Sequence, residues 1–218
     1  MSEIKVVMMD LDNTLLDRTE GAYRTFRHFV ASVLDIDPDT MYGEAIVQEL
    51  QNWDGYGNVR KSFLVENLKR HFQIDLEGFD MPSWWFDNLW RFEELYPDAL
   101  ETLDYLKEKY SLALLTNGDH YCQSQKVVQN KLEDYFELTI ISDDIGRPKP
   151  DPLMYNLALE HFNIRPEEAV YVGDTFGKDI LGAYNAGIRG IWIWPDDGRH
   201  TTCEVERIYK ISDLMNIL

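Results

Sequence analysis

The chain places acids at spacings suited to chemistry on an anion. Asp10 and Asp12 stand two residues apart, directly after the apolar run Ile4 to Met9. Asp174 follows the run Ala169 to Val172 in the same way, with Asp179 five residues beyond it. Short runs of this kind, rich in β-branched residues, read as buried strands, which puts the acids at strand tips. Mg2+ takes one or two carboxylates together with waters and substrate phosphate oxygens, and acids converging at one edge point to that cation. Thr116, with Asn117 and Gly118, closes the run Leu112 to Leu115 and offers a hydroxyl and backbone amides to a phosphoryl oxygen. Lys149 stands between Pro148 and Pro150, whose fixed φ stiffens the loop around a lysine aimed at an anion. Each feature taken alone also has an ordinary reading. An Asp-x-Asp turn can cap amides, and Asp179 can be a helix N-cap. Thr116-Asn117-Gly118 can be a plain turn, and Lys149 a surface lysine before a helix starting at Pro152.

Strand tips gather such groups only if the strands run in the same direction. Apolar runs at Ile4 to Met9, Leu112 to Leu115, Leu138 to Ile141, Ala169 to Val172 and Gly190 to Trp194 alternate with helical patterns. These helices cover about Ala99 to Lys109, Cys122 to Leu132, Pro152 to Phe162 and Asp179 to Ala186. The alternation implies right-handed crossovers and an α/β fold, a Rossmann-like, doubly wound, mostly parallel sheet with helices on both faces. Ligands of such sheets bind beyond the carboxyl ends of the strands. From Asp17 to Leu95 the alternation stops, and helical patterns recur near Gly21 to Leu34, Met41 to Asn52, Val59 to His71 and Ser83 to Phe92. The expected division is a core of residues 1–16 and 96–218 with a helical insertion at 17–95. Ile208 to Leu218 reads as a helix or strand-helix closing the fold.

Composition sets the class. With 44% hydrophobic and 28% charged residues in 218, the chain is an ordinary globular one. No apolar run approaches the ~20 residues of a membrane span, and the N-terminus has no leader pattern. Cys122 and Cys203 have no metal-ligand spacing, which fits a reducing cytoplasm. The 21 basic and 39 acidic residues give a net charge of −18, which repels nucleic acid and anionic membranes. The same field repels a small phosphorylated substrate, so an anion site must carry its own local positive charge.

Four separated motifs in this order resemble the haloacid dehalogenase-like (HAD) hydrolase superfamily. Asp10-Leu11-Asp12-Asn13-Thr14 is similar to its first motif, Thr116 to its second and Lys149 to its third. Gly173-Asp174-Thr175-Phe176-Gly177-Lys178-Asp179 is similar to the fourth. The resemblance implies that the helical insertion is a type 1 cap closing over the active site. It implies Asp10 as a nucleophile forming an aspartyl-phosphate that water then hydrolyses, and Asp12 as general acid and then base. Thr116 and Lys149 would stabilise the transferring phosphoryl group. Asp10, the backbone carbonyl of Asp12 and Asp174 would hold Mg2+, with Asp179 supporting Lys149 or the metal's waters.

The expected function is a Mg2+-dependent phosphatase acting on a small phosphorylated metabolite, with nucleoside monophosphates and sugar phosphates as leading substrates. Asp12 disfavours a carbon-halogen hydrolase, whose relatives usually lack it. A phosphomutase is the alternative enzyme, although Asn13 stands where mutases usually carry Gly. A phosphate- or partner-binding module without turnover is the alternative outside enzymes. Trp53, Tyr56, Trp84, Trp85 and Trp90 read mainly as core of the insertion, and otherwise as a stacking surface. Arg18, Arg60 and Lys61 read equally as surface charges or as contacts to a second substrate anion. His120 and Tyr121 read either as pocket lining or as a surface pair. No nucleic-acid or membrane partner is expected, and the chain is expected as a monomer or homodimer.

Overall fold

The computed structural model describes residues 3–193 and 201–218. The strands are β1 (Val6–Met9), β2 (Ser111–Thr116), β3 (Leu138–Ile141), β4 (Ala169–Gly173), β5 (Arg189–Ile193) and β6 (Glu206–Ile208). They form one six-stranded sheet in the order β3-β2-β1-β4-β5-β6, and every pairing in it is parallel. Chain order reverses at β1, which lies between β2 and β4 and supplies the crevice where open α/β sheets bind ligands.

Side-chain alternation along each strand divides the core in two. Val7 and Met9, with Leu112, Leu114, Val170 and Val172, face one layer. That layer contains Leu103 and Leu106 of α5 (Ala99–Lys107) and Val127 of α6 (His120–Gln129). Val6, Met8, Ala113, Leu115 and Tyr171 face the other, against Met154, Tyr155 and Ala158 of α8 (Leu153–Phe162). A strand buried on both faces must be apolar at every position, and β1 is buried throughout. Between β3 and α8 lies one short helical turn, α7 (Ser142–Ile145).

The chain divides into two compact units, Met1–Asp17 with Leu95–Leu218, and Arg18–Glu94. The second contains α1 (Arg18–Ser32), α2 (Met41–Asp54), α3 (Ser62–Phe72) and α4 (Met81–Asn88). Thr40 caps α2 by accepting from the Gly43 N–H at 3.0 Å. Trp85 is buried against Phe26, with ring centroids 4.7 Å apart, and Trp84 meets Phe29 edge-on. Trp53 packs on His71, whereas Tyr56 is exposed. Arg18 and Lys61 are buried and both pair with the buried carboxylate of Asp54, while Arg60 is exposed. Burial pushes the Asp54 carboxyl up, but the two cations outweigh it and hold it below its ordinary value.

Several element boundaries differ from the sequence reading. α6 begins at His120 because Asp119 caps it, accepting from the Cys122 N–H at 2.9 Å. Among the described residues the last strand lies at Glu206–Ile208, beginning two residues before the strand-helix read from Ile208, and a 3₁₀ turn at Ile211–Asn216 follows it. Asp179 does not start a helix: it lies within a π-helical turn, Phe176–Ile180, ahead of α9 (Leu181–Asn185). Trp194, read as the end of the fifth strand, lies outside the described residues.

Candidate active site

The sheet register brings the sequence's acids to one edge. Met9 is level with Leu114 of β2 and Val172 of β4, and the Asp10 N–H donates to the Val172 carbonyl at 2.9 Å. Asp10 therefore leaves β1 beside the ends of β2, where Thr116 stands, and β4, where Asp174 follows.

Lys149 is the centre of the buried charge. Its Nζ lies 2.8 Å from Asp10 Oδ1 and 2.8 Å from Asp179 Oδ1. It also lies 2.7 Å from the Tyr171 hydroxyl and 2.9 Å from the Leu115 carbonyl. Burial pushes the Lys149 ammonium down, but Asp10 and Asp179 outweigh it and the net shift is upward. Asn117 fastens the lysine's main chain, accepting from its N–H at 2.8 Å and donating to its carbonyl at 3.1 Å. The Gly118 N–H donates to Ser142 Oγ at 3.0 Å. Asn117, expected with Gly118 at a phosphoryl oxygen, thus ties the end of β2 to the loop that carries Lys149, and Gly118 ties it to the start of α7.

Asp179 is fully buried and bonded at both oxygens. Oδ1 accepts from Lys149 and from the Tyr171 hydroxyl at 3.0 Å, and Oδ2 accepts from the Thr175 N–H at 2.8 Å. Gly173 makes this return possible, because a Cβ there would lie 2.4 Å from Asp179 Cγ. Asp174 Oδ1 accepts from the Thr175 hydroxyl at 3.0 Å, and the Trp192 indole N–H donates to the Asp174 carbonyl at 2.7 Å.

Asp12 belongs to a second network. Its Oδ1 lies 2.7 Å from the Lys126 ammonium. Its Oδ2 accepts from Gln123 Nε2 at 3.1 Å, and the same amide donates to Thr116 Oγ1 at 2.6 Å. His120 lies on the surface, paired with Asp144 at 2.7 Å, and Tyr121 is exposed.

One oxygen from each of Asp10, Asp174 and Asp179 lies within 4.8 Å of the others, a spacing that fits a single cation. Among the described residues the carboxylates of Asp10, Asp12, Asp174 and Asp179 outnumber the ammoniums of Lys126 and Lys149, an anionic excess that suits a dication. The excess bears on Asp10. Burial pushes its carboxyl up to about 7; Lys149 opposes this, and Asp179, Asp174 and Asp12 add to it. Hard oxygen donors in that number suit Mg2+.

The sequence reading missed Gln123, Lys126, Tyr171 and Trp192. The signal for the first two was a lysine three residues after a glutamine, on the face of α6 that also carries buried Cys122 and Val127. For Tyr171 it was a hydroxyl inside an otherwise apolar strand.

Residues 7–193 match the haloacid dehalogenase-like hydrolase family, and the chain belongs to that family of enzymes. It is similar to the glyceraldehyde 3-phosphate phosphatase of Pyrococcus furiosus, with 32% identity over 100% of this chain and 93% of that protein. The phosphoserine phosphatase of Thermus thermophilus is 43% identical over 56% of this chain and 49% of its own length. Among solved structures, the HAD-hydrolase YfnB from Bacillus subtilis, determined with bound magnesium, shares the fold. Its TM-score is 0.82 at 22% identity, with 99% of each chain covered. Among the described residues no helix is long and apolar enough to cross a membrane.

Proposed function

We propose that this chain is a Mg2+-dependent phosphomonoesterase acting on a small phosphorylated metabolite through an aspartyl-phosphate on Asp10, with the helical unit Arg18–Glu94 as its cap. The observation that carries the reading is the meeting at one sheet edge of Asp10, held by Lys149, with Asp12, joined to Thr116 through Gln123. A pure binder has no use for a second carboxylate poised to move a proton.

Asp10 attacks phosphorus, its carboxylate forming a P–O bond as the bond to the leaving oxygen breaks. Asp12 gives that oxygen its proton. Water then attacks the phosphorus of the aspartyl-phosphate while Asp12 takes a proton from it, and phosphate leaves with Asp10 restored. Thr116 donates to a phosphoryl oxygen, and Lys149 holds Asp10 in line and offsets charge building at the site. Asp10, Asp174 and the Asp12 carbonyl would hold Mg2+, which would supply further positive charge to the transferring phosphoryl group. Asp179 keeps Lys149 in place.

The relatives' names favour short-chain phosphate esters. The test is phosphate release from glyceraldehyde 3-phosphate, phosphoserine, nucleoside monophosphates and hexose phosphates, with Mg2+, with chelator, and with Asp10→Asn. Release from one chemical family, abolished by chelator and by Asp10→Asn in a folded variant, is expected. Undiminished turnover by Asp10→Asn would sink the covalent mechanism.

A further inference from the structure

Resting on that reading, we infer that Gln123 and Lys126 are positioning residues, which hold the Asp12 carboxylate for its two proton transfers and couple it to Thr116. Lys126 is only 1% exposed, and an ammonium so buried requires a paired charge. Asp12 Oδ1, at 2.7 Å, provides it. Gln123 precedes Lys126 by three residues on α6, so the two side chains leave the same face of the helix.

The Gln123 amide divides its two N–H groups between Asp12 Oδ2 at 3.1 Å and Thr116 Oγ1 at 2.6 Å. Chemistry fixes that orientation, because a flipped amide would turn its carbonyl oxygen on a carboxylate. Thr116, accepting from Gln123, keeps its own proton to donate to a phosphoryl oxygen. Bonds from Lys126 to Oδ1 and from Gln123 to Oδ2 hold the two Asp12 oxygens at fixed positions. Gly118 leaves room for the arrangement: a Cβ there would lie 2.8 Å from Gln123 Cγ. One helix face thus sets the distance between the group that moves the proton and a group that grips the phosphate.

The two tasks of Asp12 depend differently on the substrate. In the first step an alkoxide leaves only if protonated, whereas p-nitrophenolate leaves without help. In the second step the proton comes from water whichever ester was used. Loosening Asp12 therefore has a signature that a general loss of structure lacks.

The experiment compares wild type, Lys126→Met, Lys126→Arg and Gln123→Leu, all with Mg2+, on p-nitrophenyl phosphate and on an alkyl phosphate such as glycerol phosphate. Product bursts and acid-quenched phosphorylation of Asp10 are read for each. With the alkyl ester, Lys126→Met is expected to lose about a hundredfold in kcat, within the range of a general acid, with little phosphoenzyme. With the aryl ester its first turnover stays near the wild-type rate, followed by a steady state about a hundredfold slower in which phosphorylated Asp10 accumulates. Lys126→Arg recovers part of both rates, and Gln123→Leu gives the same pattern in weaker form. Equal losses on both esters without phosphoenzyme, or wild-type behaviour of both charge- and amide-removing variants, would overturn the inference alone. A wild-type enzyme that turns over without phosphorylating Asp10 would overturn the mechanism beneath it as well.

Discussion

Four oxygens surround the Lys149 ammonium, which has three protons to offer. Tyr171 resolves the mismatch, since its hydroxyl accepts from the lysine and can donate onward to Asp179 Oδ1 or the Leu115 carbonyl. The lysine is therefore held mainly from behind, and its task toward the substrate runs through Asp10. Asp179→Asn keeps the shape of that support and removes its charge. It is expected to lower kcat roughly 10–100-fold, the usual loss when a residue supporting a site is changed, while circular dichroism stays native. Tyr171→Phe, which removes only the hydroxyl, is expected to lose less than Asp179→Asn in the same assay. A kcat unchanged in Asp179→Asn would show that Lys149 needs no such anchor.

The elements align these residues through their ends, and one fastening precedes the strands rather than following them. Glu168, just before β4, accepts from the Arg165 N–H at 2.9 Å and pairs with Lys5, just before β1, at 2.6 Å. The Lys5 hydrogen bond, with the Arg165 N–H behind it, holds the Glu168 carboxyl down at about 2. Because this folded value lies below the unfolded one, the contribution is full above the ordinary glutamate range and disappears as pH falls through about 2. Urea midpoints of wild type and Glu168→Gln should thus differ at pH 7 and converge as the pH is lowered below about 4.3. A gap that stays constant with pH would contradict the pairing. The same logic of element ends explains what could be read in the sequence. Asp10, Thr116 and Asp174 were legible because each stands within two residues of the end of an apolar run, and run-plus-polar-tip is a local pattern. Lys126 was not, because a lysine on a helix ordinarily faces water, and its burial against Asp12 is a long-range contact that no local pattern announces. Asp179 was legible as a functional acid but not as part of a π-helical turn, which depends on the approach to Gly173. β6 has only three residues, too few for alternation to stand out.

At the scale of the whole molecule, a net charge of −18 opposes the approach of a phosphate ester, while the buried lysines act only at short range. Screening the distant charges should favour encounter, so kcat/KM for a dianionic ester is expected to rise severalfold between about 10 mM and 0.15 M inert salt at saturating Mg2+. A steady fall over that range would mean that local positive charge governs the approach. The parallel sheet also has a consequence for synthesis. Val6 pairs with Ser111 on one side and Ala169 on the other, so β1 waits for partners made long after it. At roughly 5–20 residues per second, the second of them follows by about 8–30 s. Until β2 is made, about 5–20 s after β1, the four buried side chains of β1 have no sheet to enter, and by then the whole of Arg18–Glu94 has been made. A ribosome carrying this chain therefore displays a sticky apolar segment ahead of a completed helical stretch, and a holding chaperone would find its binding site in Val6–Met9 until β2 arrives.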